Sequence, residues 1–373
     1  VSFLSEIKVD IKVDQLKPGL QLAENVTSPM GGVILYKGSR TEDYHKELLQ
    51  AFTIETVKVI EEKKSQTPLK VPEKKASDKI PSTTATVKNP LQIEMEKNYN
   101  QAVSVIKNIM LQVEYTKKVP LLEIRTAIKP LLEQVCEQPK ISLVMNQLRA
   151  AGEYTYKHSI GVGIISTVIA RFLNYKDNEL MQIGLAGTLH DIGKAKISND
   201  ILMKKGPLNH DQYNEIKKHP IYSYEILEKV TGINQGVVLA ALEHHEREDG
   251  KGYPYGRKGF ETHPYSKIVA VADIFHAMTS NREYKEADNI YHVLKQISED
   301  AFGKLDPNVV TKFVSGLMDY CIGKTVILSN EMVGEIILIN NSAPLKPLVK
   351  VENNFIDLSR RSDVHITHLS IEL

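Results

Sequence analysis

The stretch NELMQIGLAGTLHDIGK, residues Asn178–Lys194, decides how this chain is read. It begins as an apolar-periodic helix and ends on an adjacent histidine and aspartate, His190 and Asp191, with Lys194 three residues further on. An imidazole and a carboxylate delivered together from an apolar segment call for a reason, and the surrounding sequence supplies one.

Outward from this stretch, nearly everything between Leu91 and about Asp319 reads as helix. IEMEKNYNQAVSVIKNIMLQVEY and LLEIRTAIKPLLEQVCEQ carry apolar residues three and four apart. HSIGVGIISTVIARFL, LNHDQYNEIKKHPIYSYEILEKV, GVVLAALEHHE, SKIVAVADIFHAMTS and IYHVLKQISEDAF extend the pattern. The opening residues alternate instead as short strands (IKVDIKV, IETVKVIEE) around a helix, TEDYHKELLQAF, capped by Thr41. Between Glu61 and Pro90, Lys, Ser, Thr, Glu and Pro dominate. Too little apolar surface is available there to offset the entropy of ordering, which predicts a linker. After Cys321 strands return: KTVILSN, GEIILIN, PLVKVEN and VHITHLSIEL. The expected organisation is multidomain: a small α+β module over 1–60, a flexible linker over 61–90, a helical connector over 91–150, an all-α domain over 151–320 and a β-rich extension over 321–373.

The 373 residues are 42% hydrophobic and 25% charged, as in an ordinary globular chain, and the formal net charge is +1. No global field therefore draws the chain to DNA, RNA or anionic lipid, and an anionic ligand must be recognised locally. Two distant cysteines, Cys136 and Cys321, exclude a zinc ribbon and suit a reducing compartment. The opening lacks the apolar block of a signal peptide and no stretch is long enough to cross a bilayer, so a cytoplasmic location is expected.

The helical region holds an unusual set of donors: His158, His190, Asp191, His219, His244, His245 and Asp273. Singly, each has a plainer explanation, since a lone histidine on an apolar helix is ordinarily a hydrogen-bonded core residue. His219, before Pro220, could simply end a helix. His210, His263 and His276 keep that plainer reading. As a set, imidazoles and carboxylates in one helical core suit iron, manganese or zinc. Their number exceeds what one tetrahedral site needs and favours two metals, with Asp191 as a potential bridge. Two such ions suit phosphoester hydrolysis, because they acidify a shared water and clamp phosphoryl oxygens. Lys194 could meet a phosphate oxygen or assist the leaving group, or be a surface lysine. Arg282 and Lys285 could bind phosphates, or be solvated surface.

In order, HDIGK, HP, HHEREDGKGYP, VADIFHAMTSNREYK and FGKLDP resemble the motifs of HD-GYP domains, all-helical HD-superfamily phosphodiesterases that cleave bacterial cyclic di-GMP. The resemblance covers Gly152 to about Tyr320. It implies that the seven donors ligate metal, with Asp191 bridging, and that Lys194 stabilises or protonates the reacting phosphate. It further implies that Gly252, Tyr253 and Pro254 form the signature substrate loop and that Arg282 and Lys285 hold phosphate. Glu248 and Lys251 occupy variable positions of the signature. Some members have a glutamate four residues before the first histidine, able to serve a third metal. Here that residue is Tyr154, which favours two ions, and the family implies iron or manganese over zinc. The amino-terminal module loosely resembles accessory domains joined to such domains, without a receiver-like phosphoacceptor motif.

The expected function is hydrolysis of cyclic di-GMP to pGpG, with GMP from a second round, by a metal-bridging hydroxide. The alternatives are a sensor that binds cyclic di-GMP without cleaving it and a hydrolase of another nucleotide phosphoester. The helices between Leu91 and Gln138 could mediate a homodimer or simply pack into the core.

Overall fold

The structure, a computed structural model, describes residues 7–27, 33–35, 37–41, 45, 46, 49, 54–61, 90–116, 118–137, 154–202, 204, 206–280 and 289–369. The chain divides into two compact units, Val1–Ala85 and Thr86–Leu373. Residues 62–89 of the expected linker lie outside the described residues.

In the first unit, β1 (Ile7–Lys12), β2 (Gln21–Leu22) and β5 (Thr56–Glu61) form an antiparallel sheet with β5 in the middle, while β3 (Val26–Thr27) pairs with β4 (Val33–Leu35). Alternation places Val57 and Val59 on the buried face with Leu22. Most of the helix expected over TEDYHKELLQAF lies outside the described residues. Thr41 does identifiable work there: its hydroxyl donates to the Lys17 carbonyl at 2.6 Å and accepts from the Leu20 amide at 3.0 Å, closing the turn before β2.

The second unit is mostly helical. Its helices are α1 (Pro90–Thr116), α2 (Leu121–Glu137), α3 (Tyr154–Phe172), α4 (Asp177–Leu189), α5 (Asn199–Leu202), α6 (His210–Ile216), α7 (His219–Leu227), α8 (Gln235–Glu243), α9 (Pro264–Thr279), α10 (Ile290–Asp300) and α11 (Pro307–Asp319). Helix α3 is central, buried on all sides from His158 to Ala170, which is why its sequence is apolar throughout rather than striped. It meets α4 through small residues. A side chain on Gly187 would lie 2.7 Å from the Val162 carbonyl and 2.6 Å from Ser166 Oγ, so glycine lets the two backbones touch. That approach brings His158 and His190 together. One apolar core runs on from α1 and α2 through these helices to the carboxy-terminal strands.

Those strands form an antiparallel sheet in the order β10 (Ile366–Leu369), β6 (Thr325–Leu328), β7 (Val333–Leu338), β8 (Leu348–Val351) and β9 (Asn354–Asp357). The sequence reading missed β9. Its turn from β8 carries no glycine; instead Glu352 takes the left-handed conformation at φ 51°.

Two helix expectations need correction. LNHDQYNEIKKHPIYSYEILEKV breaks into α6 and α7, because Pro220 lacks an amide hydrogen and fits only the first turn of a helix. His219 therefore opens a helix rather than ending one. The α-helix of the opening stretch also ends at Leu189, the backbone leaves the α region at Asp191, and Ile192–Lys196 form a 3-10 turn. Lys194 reaches Asp191 through this tight turn, not along a continuing helix face.

Candidate metal centre

Seven predicted donors converge from five helices and their ends. His158, His190 and Asp273 each bring a ligand atom within 4.8 Å of the others, and so do His219, His244 and His245. Asp191 lies between the two groups. Its Oδ2 is 3.3 Å from His190 Nε2 and 3.7 Å from His158 Nε2; its Oδ1 is 3.1 Å from His219 Nε2 and 4.0 Å from His244 Nε2. Asp273 Oδ1 lies 3.0 Å from His158 Nε2.

Three of the imidazoles are oriented by one device. His190, His219 and His244 each set Nδ1 against the carbonyl three residues earlier, at 2.7 Å to Gly187, 2.7 Å to Ile216 and 3.1 Å to Ala241. A carbonyl only accepts, so each Nδ1 carries a proton, which in the neutral ring leaves the Nε2 lone pair for a cation. These carbonyls belong to the last turns of α4, α6 and α8, where helices leave carbonyls unpaired. One hydrogen bond thus satisfies a helix end and fixes a ligand tautomer.

The donors fit a metal. His190 Nε2 is buried and, though 3.3 Å from Asp191 Oδ2, lacks a hydrogen bond of good geometry, a costly position for an imidazole unless its lone pair is used. Burial is the largest influence on His158, His244 and His245 and pushes all three down, His245 to about 3, so these rings are neutral at ordinary pH. Burial also works against the charge of Asp191 and Asp273. The neighbouring cations and histidine hydrogen bonds outweigh it and hold both carboxyls well below their usual range. In turn these carboxylates outweigh burial at His190 and Lys194 and raise both. The centre sets imidazole nitrogens around two buried carboxylates, and it draws cations.

Around the centre, Lys194 Nζ sits 2.5 Å from Asp191 Oδ2. Tyr154 stacks on His158, with centroids 5.4 Å apart. Tyr253 stacks on His245 at 4.6 Å, and Lys217 Nζ lies over the same ring, 4.9 Å from its centroid. Gly252 serves the loop by close approach: a side chain there would meet His245 O and Glu246 Cα at 2.5 Å. Pro254 follows across a cis peptide bond. Arg282 and Lys285 lie outside the described residues.

Several supporting residues escaped the sequence reading. Ser223 Oγ accepts from the Gly193 amide at 2.8 Å and donates to the His190 carbonyl at 2.9 Å, tying the His-Asp turn to α7. Glu243 pairs with Arg257 and accepts from the His263 amide at 2.8 Å and Ser266 Oγ at 2.7 Å. Glu246 accepts from the Tyr255 and Arg257 amides at 2.8 and 3.0 Å. The glutamates that flank the paired histidines thus shape the loop. Their position beside His244 and His245 was the available signal. His276, 3.0 Å from His158 through the two Nδ1 atoms, was also passed over.

Residues 139–309 match the HD domain family. The chain is 33% identical over 239 residues to a cyclic di-GMP phosphodiesterase of Pseudomonas aeruginosa, covering 64% of this chain and 56% of that protein. It is 37% identical to the cyclic di-GMP phosphodiesterase response regulator RpfG of Xanthomonas campestris, covering 41% and 40% of the two chains. It is 35% identical to 3'3'-cGAMP-specific phosphodiesterase 3 of Vibrio cholerae, covering 42% and 34%. The chain therefore spans about half the length, or less, of these curated relatives. With the HDIGK and HHEREDGKGYP motifs in place around one cluster, residues 139–309 are similar to HD domains in both sequence match and donor set.

Proposed function

We propose that this chain is a metal-dependent phosphodiesterase that hydrolyses cyclic di-GMP to linear pGpG, with GMP as the product of a second round. The carrying observation is the placement of Asp191, one oxygen toward each of two three-residue donor groups. His158, His190 and Asp273 would hold one divalent ion, His219, His244 and His245 the other, and Asp191 both, with iron or manganese favoured over zinc. Bound there, the ions would supply an acidified water and charge compensation for the phosphoryl group.

The chain's own residues do the rest. Lys194, kept as an ammonium by Asp191, faces the centre with a quarter of its side chain exposed, where it can meet a phosphate oxygen or the departing ribose oxygen. Water adds to phosphorus, the bond from phosphorus to the 3′ oxygen breaks, and that oxygen leaves with a proton. Tyr253 and Pro254, carried by the Gly252 turn, border the centre on the His245 side as a surface for the guanine and ribose. Arg282 and Lys285 are assigned to the substrate's phosphates. Tyr154, stacked on His158, supports two ions rather than three.

The test joins metal analysis to turnover. Protein loaded with Fe(II) or Mn(II) is expected to bind two ions per chain and release pGpG, and Asp191→Ala is expected to lose turnover about 10³-fold or more. Binding of cyclic di-GMP without turnover in any metal would establish a sensor instead. One relative is named for 3'3'-cGAMP, so that dinucleotide belongs in the same assay as the competing substrate. Activity undiminished in Asp191→Ala would remove the bridging role.

A further inference from the structure

His158 differs from the other oriented imidazoles of the centre. His190, His219 and His244 stand at or beyond the carboxyl ends of helices, where unpaired carbonyls accept their Nδ1 protons. His158 stands in the second turn of α3, which begins at Tyr154. The unpaired groups at that end of a helix are amide donors, and they offer nothing to an imidazole N–H. An acceptor for His158 must come from another element.

That acceptor is His276, on α9. Both rings are buried, their Nδ1 atoms are 3.0 Å apart, and the ring planes meet edge to face at 73°. A neutral imidazole carries one N–H, so of two facing Nδ1 atoms one donates and the other accepts. Ser280 Oγ, 3.0 Å from His276 Nδ1 and 3.4 Å from its Nε2, steadies the second ring from the end of the same helix.

From this arrangement we infer that His276 is a positioning residue: it accepts the Nδ1 proton of His158 and so turns the His158 Nε2 lone pair toward the ion held with His190 and Asp273. The inference rests on the dinuclear reading above. It assigns the first donor group a support that the second does not need, since the carbonyls of α6 and α8 already orient His219 and His244. His276 touches neither substrate nor metal and acts only through His158.

The test is Mn(II) titration of the full chain, with free ion counted by electron paramagnetic resonance, on wild type, His276→Phe and His276→Asn. Phenylalanine fills the space without an acceptor; asparagine restores an acceptor oxygen. His276→Phe is expected to weaken one of two sites about 10- to 100-fold and leave the other unchanged, as loss of a ligand's supporting hydrogen bond does elsewhere. His276→Asn should recover most of that loss. A merely structural role would weaken both sites alike and lower the melting temperature of the metal-free protein, which would overturn the inference; so would two wild-type affinities in His276→Phe. Should His276→Phe not fold, nitrogen NMR of ¹⁵N-histidine-labelled, Zn(II)-loaded wild type decides: a bare Nδ1 on His158 refutes it. Wild type that binds two Mn(II) but cleaves no cyclic dinucleotide defeats the proposed activity and leaves this inference standing; wild type that binds none defeats both.

Discussion

The two donor groups on either side of Asp191 are built by different means. His219, His244 and His245 come from chain ends of short helices, and two of them are aimed by carbonyls only three residues away. His158 and Asp273 come from the bodies of α3 and α9, and the partner that faces His158 Nδ1 is 118 residues distant. One group is assembled by local backbone geometry, the other by helix packing. Local assembly survives a shifted core; packed assembly inherits every displacement of the helices that carry it.

The comparison can be broken most decisively at the ligands. His244→Ala and Asp273→Ala should each reduce turnover about 10³-fold or more, and each should remove one Mn(II) of two. If either variant lost both ions, the groups would be a single cooperative site and the distinction would fail.

A smaller effect tests the clip between the His-Asp turn and α7. Ser223→Ala removes the hydroxyl and leaves the buried Gly193 amide without its acceptor. The expected loss is about 2 kcal/mol in urea unfolding, accompanied by weaker binding at sites that use His190 and Asp191. Unchanged stability would mean that the turn holds itself.

The smallest effect concerns the support of α9. Asp306 caps α11, accepting from the Asn308 and Val309 amides, and pairs with Lys267 of α9 at 2.9 Å. Burial pushes its carboxyl up, but Lys267 and the amide hydrogen bonds outweigh burial and hold it below 3.8. A carboxyl depressed in the folded state stabilises above its unfolded pKa, near 4, and that contribution is lost as pH falls through the folded value. Asp306→Asn keeps a capping oxygen but loses the Lys267 ion pair, which should cost about 1 kcal/mol at pH 6, and the gap from wild type should close below about pH 4. Melting temperatures of the two proteins between pH 6 and 3 measure it; a gap independent of pH would assign the effect to the cap geometry alone.

What the sequence disclosed follows the same division. The helical body, four of the five carboxy-terminal strands and the seven residues that cluster were legible because each is marked locally, by periodicity or by a short motif. Hidden were the relations that exist only once helices meet. His276 looks like any histidine on an apolar helix until α3 lies beside it, and Ser223 is an ordinary helix serine until Gly193 approaches. The break between α6 and α7 was written in Pro220, yet the plainer alternative for His219 was a helix end, because proline constrains the residue before it more visibly than the helix after it. The strand β9 was missed because its turn uses Glu352 in a conformation that sequence assigns to glycine.

Glu243 and Glu246 engage both oxygens of each carboxylate on the loop and on the helix that follows. The backbone beside Tyr253 is consequently held in folding, before any ligand arrives. Ordering a side chain on association costs about 0.5–1.5 kcal/mol, and at this edge of the centre that entropy has already been surrendered. A ligand docking here meets a finished surface, so its residence time should follow the contacts it makes rather than the closing of a loop.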